Sequence, residues 1–343
     1  MKTNAILNRI ISFLKRGFIW LSTFIVVLGI TGMIYQTAAT ESDQRKYPPP
    51  GVLVNVNGYK MHIYCMGEGG PTIILDHVGG GSSMDWALIQ PKLAGHTRVC
   101  AYDRAGFGWS DYNPAPRTME QQVNELHNLL QGANEQGPYI LVGHSYGARV
   151  DRVYAAKYPD EVAGMVLMDP GILADDPRYP AEMQSDFESE NTMLRAARRL
   201  SPFGLVRLTK PLMELPTFDL PEEARIASAS FSTSTRYFQS LIAQGDSMPT
   251  VLREEHEVTS LGDIPLLVLV ATEPDDAIRK VWSQANIEMA TLSTNGSYQI
   301  VSGATHMSLA YRQNDAQICT NGILEVFEAA RARQASQAPI GVQ

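Results

Sequence analysis

The chain has 343 residues, 44% of them apolar, and a net charge of −8 with acidic and basic residues interspersed. This size and apolar content exclude a disordered chain and suit one large packed domain with an appendage. The acidic balance, with no basic stripe interleaved with aromatics, excludes a nucleic-acid surface.

Residues 1–16 hold Lys2, Arg9, Lys15 and Arg16, and no charge then occurs between Gly17 and Thr40. As a helix, Gly17 to Tyr35 would span roughly 28 Å, close to the thickness of a hydrocarbon core. Residues 17–38 are therefore expected to be a transmembrane anchor, with 1–16 a cytoplasmic basic N-terminus by the positive-inside bias and the remainder extracytoplasmic. Thr37-Ala38-Ala39 resembles a small-residue cleavage site, so secretion after signal cleavage is the competing reading. Residues 39–51 are expected to be a linker, whose Pro-rich end, Tyr47 to Gly51, resists helix formation.

Beyond it, strand-like runs cover Val52 to Val56, Lys60 to Cys65, Thr72 to Leu75 and Arg98 to Tyr102. Asn57-Gly58 marks a hairpin between the first two. An amphipathic helix, Thr118 to Gly132, leads to a strand at Tyr139 to Val142, a helix ending before Pro159 and a strand at Ala163 to Met168. Later come a strand at Pro265 to Ala271, a helix near Ala277 to Ala290, a strand at Tyr298 to Val301 and a last helix from Gln313 to about Arg333. Alternating strands and helices predict a mostly parallel sheet covered on both faces.

Between Asp169 and Asp263 the strand pattern lapses, and helix formers are broken by Pro177, Pro180, Pro202, Pro211, Pro216 and Pro221. This reads as a helical insertion at about 170–262. Its Met183, Phe187, Met193, Phe203, Met213, Phe218, Phe231, Tyr237 and Phe238 either line an apolar pocket or pack a small core of their own. The Arg195, Arg198 and Arg199 cluster reads as a solvated helix face. Residues 52–333 form the main domain on this reading, and 334–343 a flexible tail. Three cysteines, Cys65, Cys100 and Cys319, show no metal-ligand spacing, so no metal is expected. Cys65 and Cys100 lie in separate strands and could pair in an oxidising compartment, leaving Cys319 free; the other reading is three buried thiols that act as small hydrophobes.

Gly143-His144-Ser145-Tyr146-Gly147 is a G-x-S-x-G elbow following a strand. A serine on such a turn stands exposed at the end of a sheet, with the following amide, that of Tyr146, aimed at a developing oxyanion. Acyl transfer also needs a base and an acid to orient it. His306, in the loop after the strand Tyr298 to Val301, is the candidate base; His62, His96, His127 and His256 read as structural. The acid is expected after the strand Pro265 to Ala271, where Asp275 is preferred over Asp276 and Glu273, with Asp169 a minor candidate. The second oxyanion donor is expected from His77-Val78-Gly79-Gly80-Gly81-Ser82-Ser83, at Gly79 or Val78. A phosphate loop is disfavoured there because no Gly-Lys-Ser/Thr follows.

With Tyr102-Asp103-Arg104-Ala105-Gly106-Phe107-Gly108-Trp109-Ser110-Asp111 added, these motifs resemble the α/β-hydrolase family over roughly residues 52 to 333. The resemblance implies an eight-stranded sheet, a cap domain formed by the insertion, no cofactor, and structural roles for Asp103, Arg104 and Ser110. Two departures are Val78, where many members have glycine, and Glu-Pro-Asp-Asp in place of a Gly-x-x-Asp acid loop. The expected activity is hydrolysis of a small-molecule carboxylic ester, with an apolar acyl group, through an acyl-enzyme on Ser145. Serine at the elbow disfavours epoxide opening and halide displacement, for which relatives carry aspartate. Acyl transfer, C–C bond hydrolysis and peptide hydrolysis use the same triad, and a non-catalytic interaction module at the membrane is the non-enzyme alternative.

Overall fold

The computed structural model describes residues 2–171, 192–209 and 219–337. Pro177, Pro180, Met183, Phe187, Pro211, Met213, Pro216 and Phe218 lie outside the described residues, as does the tail beyond 337.

Eight strands form one sheet: β1 (Val52–Val56), β2 (Tyr59–Met66), β3 (Ile73–Asp76), β4 (Val99–Tyr102), β5 (Tyr139–His144), β6 (Val162–Met168), β7 (Leu266–Glu273) and β8 (Gly296–Thr305). Their order is β1-β2-β4-β3-β5-β6-β7-β8. The first two pairings, β1 with β2 and β2 with β4, are antiparallel and the rest parallel. This is the α/β-hydrolase fold, and the near-continuous apolar runs of β3, β5 and β6 follow from burial on both faces. Side chains alternate between two cores: Ile74 and Leu141 face one side, and Ile73, Leu75, Ile140 and Val142 the other.

The helices are α1 (Lys2–Lys46), α2 (Met119–Gly132), α3 (Tyr146–Lys157), α4 (Glu222–Phe231), α5 (Thr235–Asp246), α6 (Met248–His256), α7 (Ala277–Met289) and α8 (Gln313–Gln337), with shorter turns between. Thr118 caps α2, accepting from Gln121 N at 3.1 Å, which leaves Met119, Val123, Leu126 and Leu130 as its buried stripe. α2 and α3 cover one face of the sheet and α8 the other.

Helix 192–200, the turn Leu205–Thr209 and α4 to α6 form the described part of the cap. Glu255 of α6 fastens it to the body by pairing with Arg149 and Arg152 of α3. Glu254 accepts from Met119 N at 2.6 Å, adding negative charge at the start of α2.

Several boundaries differ from the sequence reading. α1 does not stop at residue 38 but continues to Lys46, just before Pro48-Pro49-Pro50. α8 runs to Gln337, beyond the expected Arg333. β7 and β8 each extend past their expected ends, pairing as far as Glu273 with Thr305. Cys65 and Cys100 are opposite one another on β2 and β4 and form a disulfide, while Cys319 is free and buried.

Candidate active site

β5, a central strand, delivers Ser145 to the carboxyl end of the sheet. The chain turns sharply there, with Ser145 at φ 55° and ψ −112°, a strained conformation for a non-glycine residue. Ser145 N is held by Met168 O at 2.9 Å, so the elbow is pinned to the end of neighbouring β6. Gly147 is required by crowding: a Cβ there would lie 2.4 Å from Asp76 O.

Because β6 ends where its pairing with β5 ends, at His144 with Met168, its next residue, Asp169, emerges beside the elbow. Asp169 is fully buried, and its Oδ2 lies 2.6 Å from His306 Nδ1. The same oxygen accepts from Arg279 Nη1 at 2.9 Å, and Oδ1 accepts from Asn286 Nδ2 at 2.7 Å and Ala271 N at 3.3 Å. Burial pushes the carboxyl up, but hydrogen bonding and charge from His306, and then from Arg279, outweigh it and hold Asp169 below the usual carboxylate range.

The expectation of Asp275 as the partner of His306 is thereby corrected. β7 continues through Glu273, which carries the following loop past the site. Asp275 is exposed and pairs with Lys280 at 3.1 Å. Asp276 caps α7, accepting from Arg279 N at 2.7 Å, and Glu273 accepts from Asp275 N at 3.2 Å.

His306 follows directly on β8, its side chain 23% exposed, which leaves an edge of the ring open to a reactant. Trp282 meets it edge-on, with ring centroids 5.7 Å apart. His144, inside the elbow itself, donates from Nε2 to His306 O at 2.9 Å. Burial, and then the proximity of His306, push His144 down to about 3, so its ring is neutral. A carbonyl only accepts, which assigns the His144 proton to Nε2. The sequence reading missed His144, Arg279, Asn286 and Trp282; only the x position of G-x-S-x-G hinted at the first.

The loop after β3 is fixed by Arg104, itself buried. Its guanidinium pairs with Asp76 and donates to His77 O at 2.6 Å and Val78 O at 2.8 Å. In a trans peptide the C=O and N–H point in opposite directions, so the amides of Val78 and Gly79 turn away from Arg104. Among the described residues neither amide has an acceptor within the fold. A Cβ on Gly79 would lie 3.6 Å from Tyr146 Cβ, so this loop adjoins the residue after the serine. Tyr146 packs its ring over Arg104 at 5.2 Å and accepts from Gln122 Nε2 at 2.8 Å. Asp103 accepts from Ser83 N at 2.6 Å and Trp109 N at 2.9 Å, and Ser110 Oγ donates to Asp103 O at 2.6 Å. These contacts shape the rim.

A cavity of about 180 Å³ lies between this loop and the cap. Val78, Gly79, Leu220, Phe231, Tyr237, Met307 and Tyr311 are in its wall, so it borders the loop after β3 and the residue after His306, although Ser145 is not itself in the wall. Asp85 also lines it, and burial pushes that carboxyl up to about 7.

The sequence pattern of the alpha/beta hydrolase fold family matches residues 71–309, and the chain belongs to that family. The uncharacterized protein YqjL of Bacillus subtilis is 40% identical over 118 residues, which is 34% of this chain and 47% of YqjL. The chain spans about half the length, or less, of the curated relatives it matches first. Among solved structures, an esterase from Thermogutta terrifontis superposes with a TM-score of 0.60 at 22% identity, over 81% of this chain and 98% of the esterase. The Cif epoxide hydrolase of Acinetobacter nosocomialis superposes with a TM-score of 0.66 at 15% identity, over 86% and 96%. At these identities the likeness is one of fold.

Proposed function

We propose that the protein is a serine hydrolase of carboxylic esters, with Ser145 as nucleophile, His306 as general base and Asp169 as the acid that orients it. The observation that carries this reading is the 2.6 Å contact from His306 Nδ1 to Asp169, whose strand ends against the Ser145 elbow. Asp169 keeps the Nδ1 proton in place, leaving Nε2 to take the proton of Ser145 Oγ as it attacks the acyl carbon. The developing oxyanion is received by the Tyr146 amide and by that of Gly79 or Val78, each donor contributing about 3 kcal/mol. His306 then protonates the departing alcohol, and afterwards activates the water that cleaves the acyl-enzyme. The cavity's largely apolar and aromatic wall favours an apolar acyl group.

We also read α1 as an uncleaved membrane span with the N-terminus cytoplasmic. None of its most apolar window is buried in the protein, which does not fit a core helix. Gln36 is buried and donates to Thr233 O at 3.0 Å, a contact that cleavage after Ala39 would remove. The disulfide supports an extracytoplasmic domain.

A fluorophosphonate probe tests the catalytic reading. Labelling of the folded protein is expected and should vanish in Ser145→Ala. Absence of labelling in the folded wild type would overturn it, and aryl esters of graded chain length then define the acyl preference.

A further inference from the structure

α1 packs against the cap within its apolar stretch. A Cβ on Gly32 would lie 2.4 Å from Phe203 O, and one on Gly29 would lie 3.6 Å from the Phe203 ring. Gly29 and Gly32 precede Tyr35 by six and three residues, about 9 and 4.5 Å along a helix rising about 1.5 Å per residue. The turn at Phe203 therefore sits below the level at which the apolar run ends. Around it, Met193 is 69% exposed, Leu208 64%, Leu200 44%, Leu205 44% and Phe203 39%. Such a cluster of large apolar side chains is out of place on a surface facing water. Nearer the polar end of α1 the contacts become charged: Arg207 pairs with Asp43 at 2.5 Å. Arg198 and Arg199, on helix 192–200, are exposed. Apolar groups at the depth of the helix's apolar run, with cations beside them, are the pattern of an element lying in a lipid interface.

We propose that this cap face is embedded in the bilayer leaflet at the C-terminal end of α1, and that the cavity takes its substrate, a lipophilic ester, from that leaflet. The inference rests on reading α1 as a membrane span and the site as an esterase. Geometry links surface to cavity. Phe231 and Ser232 line the cavity, and the next residue, Thr233, is the one whose carbonyl receives Gln36 of α1. Phe231 also packs edge-on against Trp109, at 4.7 Å between centroids, and the Trp109 indole donates to Tyr47 O at 2.8 Å, just past the end of α1. One side of the cavity wall is thus held directly against the helix.

The test uses the full-length protein in phosphatidylcholine vesicles, with a bimane fluorophore on Leu208→Cys, Ile25→Cys or Asp160→Cys. Asp160 is exposed at the opposite end of the sheet, and Ile25 lies within the span. Shallow doxyl-labelled lipid should abolish most emission from Leu208→Cys and leave Asp160→Cys unchanged, whereas aqueous iodide should do the reverse. If lipid quenches Ile25→Cys but iodide quenches Leu208→Cys as freely as Asp160→Cys, the span stands and the cap proposal falls. If neither quencher reaches Leu208→Cys, protein such as a second copy covers the face, and the proposal falls as well. If lipid fails to quench even Ile25→Cys, the span reading falls and takes the cap proposal with it.

Discussion

Asp169 and Asp275 are both loop aspartates after parallel strands, and they differ in what surrounds them. One is enclosed by His306, Arg279, Asn286 and the Ala271 amide; the other shares an exposed ion pair with Lys280, of a kind worth roughly 0–1 kcal/mol. Asp169→Asn should therefore lower kcat for ester hydrolysis by roughly three to four orders of magnitude, by analogy with triads in which the orienting acid is removed. Asp275→Asn, Asp276→Asn and Glu273→Gln should stay near wild type; a large loss confined to Asp275→Asn would refute the assignment to Asp169. The placement of Ser145 and His306 at strand ends was legible in the sequence because each follows a recognisable strand within a short motif. The acid was not, because the choice depends on where β6 and β7 end relative to each other, and β7 runs on by pairing with β8. His144 escaped notice for a related reason: its partner, the His306 carbonyl, lies 162 residues away in the chain.

Element by element, the alternation of strands and helices showed in the sequence, since period-2 and period-3.6 apolar patterns record which face of each segment is buried. Helix ends were less legible: nothing between Thr40 and Lys46 opposes helix, so α1 persists until the prolines. The tie between cap and body was invisible, resting on one carboxylate between two arginines far away in sequence. Glu255 is wholly buried, and burial pushes the Arg152 guanidinium down while Glu255 holds it up. Glu255→Gln keeps the shape but removes the shared counter-charge, and should destabilise by about 3–5 kcal/mol. Chemical denaturation should show this as a lower midpoint; an unchanged midpoint would mean that the cap is held by other contacts.

At the scale of the whole molecule, the disulfide closes a loop with a sequence separation of 35 between antiparallel neighbours. A thiol titration under denaturing conditions should count one cysteine, Cys319, before reduction and three after. Cys65→Ser with Cys100→Ser should lower stability by about 2–4 kcal/mol. Three thiols in the unreduced protein would show that the bond does not form.

α1 has a further consequence that concerns encounter rather than chemistry. It stays helical from Tyr35 to Lys46, about 16 Å at about 1.5 Å per residue; the cap grips it along the way, and Trp109 holds the residue that follows it. A flexible tether would let the domain tumble and sample a hemisphere of solution. This stalk is stiff, so a bilayer holding α1 would also fix the height and heading of the cavity. Diffusion to the serine then becomes a two-dimensional search, and turnover should follow the mole fraction of substrate within the membrane rather than its bulk concentration.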